Sequence, residues 1–422
     1  MKNIKITKNP FLFLLPFLIL YIAIVFTFPT NGTFGDEGRY LAYAHNLLHG
    51  FYSLPAPNLY VGNGPGYPIL LMPFVALHLP LICITFLNAI LYYLSAVFLF
   101  KASRQIVSFR LSLIISLFFA MYFNSYEYLP IVYTETFTIF LISLIILTLF
   151  KTFNSKKSNK YMFLSGFLIG FLALTKVIFG YVIIFLLVGV VILWIISNHP
   201  YNYKRSIFIL LISILIVIPY LTYTYNLTGQ IFYWTSNGGN NLYWMTTPNK
   251  GEYGDWIQYP IDHNKNRISE SNEIIQSYHQ KDFNEIFKYE GVKRDDEYKK
   301  IAVNNIKAHP VKFIQNCISN IGRILFNFPF SYTLQKPGTL LRLPFSGIIV
   351  VLMLFCIIPT LKNWRKIFFP IRLLLLFTFL YLGGSVLGSA ETRMFTMIVP
   401  ILLLWIAFIV ERTVKITLKF NE

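Results

Sequence analysis

Residues 177–197 read VIFGYVIIFLLVGVVILWIIS, which is 21 consecutive residues without a charged side chain. A helix needs about 20 apolar residues to cross the hydrocarbon core of a bilayer, so this stretch has the length and composition of a transmembrane helix. Nine further apolar blocks are of the same kind, at 11–29, 81–100, 111–126, 131–150, 161–175, 206–225, 343–361, 367–384 and 394–411. The pattern predicts an all-α polytopic membrane protein with about ten transmembrane helices. An apolar stretch at 67–79 is too short to cross.

The overall composition excludes a soluble protein. Hydrophobic residues make up 55% of the 422 positions and charged residues only 13%, whereas a soluble domain has about 25% charged residues. The first apolar block ends in FPTNGTFG, without the small residues of a signal-peptidase site, so we expect it to remain as the first span.

The net charge of +18 reflects basic residues concentrated in the segments predicted on one side of the membrane. If the N-terminus is cytoplasmic, the short segments predicted inside hold 19 of the 36 Lys and Arg residues but two of the 18 Asp and Glu residues. Such an excess of basic residues marks the cytoplasmic side and attraction to anionic membrane lipids, so no nucleic acid is expected as a partner. The sequence thus predicts a multi-pass protein of the plasma membrane, with both termini inside and any active site facing outward.

Two outer segments are long enough to carry function. The first outer loop, 30–66, belongs to an N-terminal membrane domain at 1–225, and a mixed extracytoplasmic loop domain at 226–338 precedes C-terminal membrane helices at 339–422. Within the loop domain, Asp282 and Glu285 match a capping box, and Asp295 matches the start of a helix that ends near Pro310. Residues 313–328 have apolar side chains at helical spacing interrupted by Asn and Arg, which favours a helix in the membrane interface or along a cavity.

The remaining charges gather at one side of the membrane. Outside the loop domain and the C-terminus, the acids are Asp36, Glu37, Glu127, Glu135 and Glu391, and the bases predicted on the same side are Arg39, Lys176, Arg342 and Arg393. Each acid lies at or near the outer end of a predicted span. Ionisable groups at membrane depth cost about 2.5–3.5 kcal/mol at a helix centre and less near the ends, so they mark polar cavities. An outward-facing polar site at the membrane surface is therefore expected.

The segment GDEGRYLAYAHNLL, residues 35–48, contains the one adjacent acid pair outside the loop domain. Carboxylates at the start of a helix are favoured by its dipole, so Asp36 and Glu37 have two interpretations. They cap the helix, or they belong to the polar site together with Arg39.

The order of these motifs resembles the GT-C superfamily of integral-membrane glycosyltransferases, which includes protein O-mannosyltransferases and lipid A aminoarabinose transferases. The resemblance rests on the pattern DExRYxxxAxxL after the first span, and on PGYP at 65–68, TET at 134–136, GGNNLYW at 238–244 and ETR at 391–393. It implies transfer of a sugar from a polyprenyl-phosphate-linked donor to a lipid, glycan or protein acceptor at the extracytoplasmic membrane face.

The resemblance also implies roles for individual residues. Asp36 would be the base that removes the acceptor proton, and Glu37 would orient the acceptor or Asp36. The substrate-binding residues would be Arg39, Glu135, Lys176 and Arg393, of which the cations stabilise the departing phosphate. Many relatives have Arg or Lys before the proline of the first-loop motif, where this chain has Gly64, so another cation must make that contact.

Several alternatives remain open. Lys176 at a span end also fits a side chain that reaches the interface, Glu391 and Arg393 fit a simple ion pair, and Glu135 fits a helix cap. His45 and His49 share a helical face and with Glu37 would make a divalent metal site, but a solvated pair fits them better and no obligatory metal is predicted. A transporter or flippase is the leading alternative function, followed by a ligase or polymerase for lipid-linked polysaccharide and a non-catalytic scaffold.

Overall fold

The computed structural model describes residues 9–55, 59–154, 158–196, 200–257, 270–332 and 338–413. The α-helices of these ranges are α1 (Pro10–Phe13), α2 (Leu15–Thr27), α3 (Glu37–Leu48), α4 (Gly66–Ala76), α5 (Leu81–Ser103), α6 (Phe109–Ala120), α7 (Thr134–Asn154), α8 (Ser158–Thr175), α9 (Ile178–Ile195), α10 (Pro200–Thr228), α11 (Gly238–Met245), α12 (Glu270–Ile286), α13 (Gly291–Ala308), α14 (Pro310–Phe326), α15 (Thr339–Lys362), α16 (Phe369–Val386) and α17 (Arg393–Thr413). The described residues contain no strand, so the all-α polytopic class is confirmed.

Seven helices of the described chain are long and apolar enough to cross a membrane: α5, α7, α9, α10, α15, α16 and α17. Three of the ten predicted spans are shorter, at Leu15–Thr27, Phe109–Ala120 and Asn159–Thr175. The first predicted span is divided at Leu14, immediately before a helix with proline in its first turn. The third gives way after Ala120 to a 3₁₀-helix at Phe123–Tyr128. The stretch at 67–79 forms the short apolar helix α4.

The centre of the bundle consists of α7 and α17, whose apolar windows are 78% and 83% buried. The peripheral helix α15 is 17% buried over its window, as expected for a helix that faces lipid. Helices α8 and α10 approach closely at Gly166 and Gly170, where an added Cβ would lie 2.6 Å and 2.7 Å from Ile212 and Ile216. Two small residues four positions apart are a common device for close helix packing in membranes.

The described part of the loop domain has its own hydrophobic core, formed by side chains of α11, α12 and α13 that include Tyr243, Trp244, Phe283 and Ile286. The capping box predicted at Asp282 and Glu285 is wrong, because both residues lie inside α12, which already includes Glu270. Asp282 instead accepts a hydrogen bond from the hydroxyl of Tyr243.

Asp295 is also not the cap that the sequence predicts, because α13 begins four residues earlier, at Gly291. Its carboxylate oxygen Oδ1 accepts the backbone N–H groups of Gly239 (2.8 Å) and Asn240 (3.3 Å), so it caps the start of α11 instead. The predicted end of this helix near Pro310 is confirmed, since α13 ends at Ala308. A residue of α13 therefore caps α11. Local sequence patterns do not reveal this cap, because the two helices are close in space but distant in sequence.

Burial raises the pKa of the Asp295 carboxyl to about 7. A folded-state pKa above the unfolded value means that its stabilising contribution is complete at low pH and is lost as the pH rises through about 7. We expect amide exchange to report an opening constant of α11 that rises by up to about tenfold per pH unit between the ordinary aspartate pKa of 3.8 and about 7, and that levels off above this range. Asp295→Asn keeps both hydrogen bonds through Oδ1 and should remove this dependence. An unchanged pH profile in the variant would contradict the assignment.

Helix α14 has its polar face inside and its apolar face outside. Asn316, Asn320 and Arg323 are fully buried, whereas the exposed fractions of the opposite side chains are 66% for Val311, 58% for Ile314, 63% for Ile318 and 45% for Ile321. An apolar stripe facing outward fits a lipid environment and agrees with the interface helix expected at 313–328.

Candidate functional site

The start of α3 holds Asp36 in an unusual way. Asp36 occupies the N-cap position, but its side chain makes no capping hydrogen bond. Its carboxylate pairs instead with Arg39, one turn further on. Arg39 also donates to the hydroxyl of Tyr60 at 2.6 Å. Simple capping therefore does not explain Asp36, whose side chain remains 29% exposed.

Glu37 has a different environment from its neighbour. It is fully buried, and its carboxylate accepts hydrogen bonds from the Thr30 hydroxyl (2.7 Å), the Phe34 N–H (2.9 Å) and the Val132 N–H (2.8 Å). These bonds join the first outer loop to the segment that precedes α7. Glu37 thus holds the loop that carries Asp36, and its oxygens are already occupied by protein donors.

The opening residues of α7 contribute a buried ion pair. Glu135 is 1% exposed and accepts a hydrogen bond from the ammonium group of Lys176 at 2.7 Å. Lys176 lies in the link between α8 and α9 and is 18% exposed. Lys176 therefore neutralises Glu135 and still reaches the surface with part of its side chain.

Arg393, the first residue of α17, connects these groups. Its Nε lies 2.9 Å from Glu391, and its Nη1 lies 3.7 Å from Glu135 and 4.0 Å from Asp36. We call the set of six residues the ionic cluster; its members are Asp36, Arg39, Glu135, Lys176, Glu391 and Arg393. Three carboxylates and three cations balance one another at helix ends that meet from four parts of the chain.

All predicted site residues except Glu37 belong to the ionic cluster, and Glu37 supports it from the interior. The other predicted charges lie elsewhere. Glu127 and Arg342 form a separate, partly exposed pair with a 2.8 Å hydrogen bond. The cluster includes the partly exposed side chains of Arg39 and Arg393, and arginine is the side chain that proteins most often use to bind anions such as phosphate.

The glycines of the first-loop motif determine where Lys176 lies. A Cβ at Gly64 would lie 2.1 Å from the carbonyl oxygen of Leu174, and one at Gly66 would lie 2.5 Å from the hydroxyl oxygen of Thr175. The motif thus packs directly on the end of α8. No side chain fits at position 64 without moving backbone, and Lys176 follows immediately after this contact.

Sequence analysis missed three polar side chains next to the cluster. The backbone N–H of Asp36 donates to the Tyr133 hydroxyl at 3.2 Å. The Tyr60 hydroxyl, bound to Arg39, also accepts from the Asn237 amide at 3.1 Å. Asn237 directly precedes the GGNNLYW motif, which was the available signal, whereas nothing in the local sequence distinguishes Tyr60 or Tyr133 from the other tyrosines.

The described residues contain no group of three His, Cys, Asp or Glu side chains close enough to hold a metal ion. The rings of His45 and His49 lie 4.4 Å apart, and Nδ1 of His49 lies 2.9 Å from the carbonyl oxygen of His45. Glu37 uses its oxygens on other partners, as described above. That the protein needs no metal ion stays a prediction.

Comparison with solved structures identifies the architecture. The apo oligosaccharyltransferase of Archaeoglobus fulgidus superposes with a TM-score of 0.51 at 14% identity, over 94% of this chain and 50% of that one. The chain shares the fold of this enzyme, which is a GT-C membrane glycosyltransferase. The same archaeal enzyme, AglB, in complex with an inhibitory peptide and a dolichol-phosphate matches equally well, with the same TM-score, identity and coverage.

The fold is thus shared with the archaeal enzyme at low sequence identity, and the chain spans about half the length of that enzyme. ArnT from Cupriavidus metallidurans bound to undecaprenyl phosphate also matches, with a TM-score of 0.42 and 10% identity over 95% of this chain and 77% of that one. No protein-family model and no curated protein sequence matches the chain.

Proposed function

We propose that the protein transfers a sugar from a polyprenyl-phosphate-linked donor to an acceptor at the extracytoplasmic face of the plasma membrane. The observation that carries the proposal is the position of the Asp36 carboxylate between Arg39 and Arg393 at the partly exposed end of an apolar helix bundle. At this end of the bundle the lipid tail of a donor can stay in the bilayer while its phosphate contacts the ionic cluster.

In the proposed reaction the carboxylate of Asp36 removes a proton and the cations stabilise the departing phosphate. The acceptor hydroxyl loses its proton to Asp36, and general-base catalysis of this kind contributes about 10²- to 10⁴-fold. The acceptor oxygen forms the new bond to the sugar carbon as the bond from that carbon to the phosphate oxygen breaks. The lipid phosphate leaves with that electron pair, and cations stabilise its developing charge. In this proposal the phosphate competes with the carboxylates for Arg39 and Arg393, which frees Asp36 to accept the proton.

The shared fold supports this proposal, because AglB was solved in complex with an inhibitory peptide and a dolichol-phosphate, which is a lipid phosphate. A transporter needs charged groups along a path near the bilayer midplane. The charges of the ionic cluster instead gather at helix ends, at the starts of α3, α7 and α17 and in the link between α8 and α9. We therefore favour transfer over transport. The acceptor class, whether lipid, glycan or protein, is the finer question for the assay below.

The test is incubation of the purified protein with a panel of polyprenyl-phosphate sugars and with lipid, glycan and peptide acceptors, followed by mass spectrometry of the products. A glycosylated acceptor supports the proposal. Movement of an intact lipid-linked sugar between leaflets without transfer would favour a flippase and contradict it.

Arg393→Met should weaken binding of the donor by roughly 10- to 100-fold, since hydrogen bonds to charged groups contribute about 1.5–3 kcal/mol. The substitution leaves each carboxylate another partner: Asp36 keeps Arg39, Glu135 keeps Lys176, and Glu391 is 38% exposed to solvent. Donor affinity is measured by titration of the protein with a fluorescent polyprenyl-phosphate sugar.

Arg342→Met is the matched control, because Arg342 is also a partly exposed arginine paired with a carboxylate, at Glu127, outside the cluster. This variant should bind the donor as the wild type does. Equal donor affinity in the Arg342 and Arg393 variants would remove Arg393 from the phosphate site.

A further inference from the structure

Helix α14 touches none of the six residues of the ionic cluster through a described side-chain hydrogen bond, yet its buried face is strongly polar. Asn316, Asn320 and Arg323, with Asn327 at the end of the helix, follow one another at helical spacing along that face. Unpaired polar groups in an apolar setting are costly, so each of these side chains must find a protein partner. Their partners are backbone carbonyl groups of distant segments together with neighbouring side chains such as Met245, Asp255 and Thr392.

The guanidinium of Arg323 is fully buried and bonded at each nitrogen. Nε donates to the carbonyl of Ala390 at 2.9 Å, Nη1 to that of Pro329 at 2.6 Å and Nη2 to that of Tyr253 at 3.0 Å. Arg323 therefore joins two segments of the loop domain to the connection between α16 and α17.

The same connection is held at three further places. The amide of Asn320 donates to the carbonyls of Val386 at 2.9 Å and Gly388 at 2.5 Å. The Thr392 hydroxyl donates to the amide oxygen of Asn327 at 2.8 Å. These contacts cover residues 386–392, which carry Glu391 and lead directly into Arg393.

We propose that α14 positions Arg393, with Asn320 and Arg323 as positioning residues that act through the backbone of residues 386–392. The Arg393 guanidinium reaches Glu135 and Asp36 only at 3.7 Å and 4.0 Å, so these two contacts are too long to hold it against a displacement of the helix start. The helix thus transmits the position of the loop domain, through Tyr253 and Pro329, to the charge that faces the donor phosphate. The consequence for donor binding rests on the proposed function.

Asn320→Ala is the variant of choice, because truncating Arg323 would leave several buried carbonyls without a donor and endanger folding. The substitution removes the bonds of Asn320 to Val386 and Gly388, along with its contacts to Met245 and Arg323. Loss of the two bonds to Val386 and Gly388 should speed amide exchange of residues 387–394 by roughly tenfold. Misplacement of Arg393 should weaken donor binding by roughly 10- to 100-fold. The effect on binding should also be non-additive with Arg393→Met, since a mispositioned residue and an absent one lose the same contact.

Asn316→Ala is the matched control. Asn316 lies one turn earlier on the same face, is equally buried, and also donates to two carbonyls, those of Met245 (3.0 Å) and Thr247 (3.2 Å), but none in 386–392. It should leave both the exchange of residues 387–394 and donor affinity unchanged.

Amide exchange is measured without any substrate, so it tests the positioning of Arg393 independently of sugar transfer. A wild-type protein that transfers no sugar would count against the proposed function but not against the positioning. Unchanged exchange at 387–394 in the Asn320 variant, or equal changes in the two Asn variants, would overturn the positioning proposal. So would fully additive effects of Asn320→Ala and Arg393→Met on donor affinity.

Discussion

The Asp36→Asn protein is expected to fold normally and to lose about 100-fold or more of its sugar-transfer rate. Asn is nearly isosteric with Asp and ranks beside it as an N-cap residue. In the structure Asp36 makes no capping hydrogen bond, so the substitution removes no cap at all. What it removes is the carboxylate that would accept the acceptor proton.

Donor affinity separates this loss from general damage to the site. Asp36 neutralises part of the charge of Arg39 and Arg393, so its replacement by a neutral side chain should leave binding of an anionic donor unchanged or make it tighter. We therefore expect a fall in kcat without a fall in donor affinity. The measurement is steady-state transfer together with direct titration of the fluorescent donor.

Glu127→Gln is the control for Asp36→Asn, because Glu127 is likewise a partly exposed acid paired with an arginine. Its transfer rate should equal that of the wild type. Glu37→Gln is a poorer control, since Glu37 accepts two backbone N–H groups and a hydroxyl, and an amide NH₂ group would face those donors. Near-normal turnover by the Asp36→Asn protein would exclude Asp36 as the base and move the transporter alternative forward.

Lys176→Met is expected to destabilise the protein by about 3–5 kcal/mol, because it leaves the buried carboxylate of Glu135 without its nearest cation. Arg393 lies 3.7 Å away and compensates only in part. The double variant Lys176→Met, Glu135→Gln contains neither charge, so no carboxylate is buried without a cation. It should recover most of the lost stability. Thermal and denaturant unfolding in lipid nanodiscs measure the effect.

Donor affinities of the same single and double variants show whether Lys176 contacts the donor phosphate. If Lys176 serves only Glu135, the double variant should bind the donor as tightly as Glu135→Gln does. If Lys176 also contacts the phosphate, the double variant should bind more weakly than Glu135→Gln by roughly tenfold. Additive losses of stability from the two single changes would contradict the ion pair itself.

The fold was largely predictable because bilayer-length apolar blocks are a strong signal, and each of the seven long helices overlaps one predicted span, with ends that differ by a few residues. The three shorter ones were less predictable, since breaks such as the one at Leu14 depend on how a proline-containing turn packs. The capping assignments at Asp282 and Asp295 failed for a related reason. Both side chains bind residues of α11, so their partners are remote in sequence.

The candidate site was predictable in its members but not in its connections. Charge depth and one-sided placement singled out Asp36, Glu135, Lys176 and Arg393. The pairing of Glu135 with Lys176 joins residues 41 positions apart, and the support of Arg393 by α14 joins residues about 70 apart. Such pairs follow from helix packing, which a single sequence does not specify.

The contact of Gly64 with the end of α8 limits how this site can be rebuilt. A designer who copies the cation of related enzymes into position 64 would separate the first outer loop from the carbonyl of Leu174, and the separation would displace Lys176 two residues later. This backbone therefore has room for a cation at position 176 but not for any side chain at position 64. A cation at position 64 would require the loop and the end of α8 to move apart.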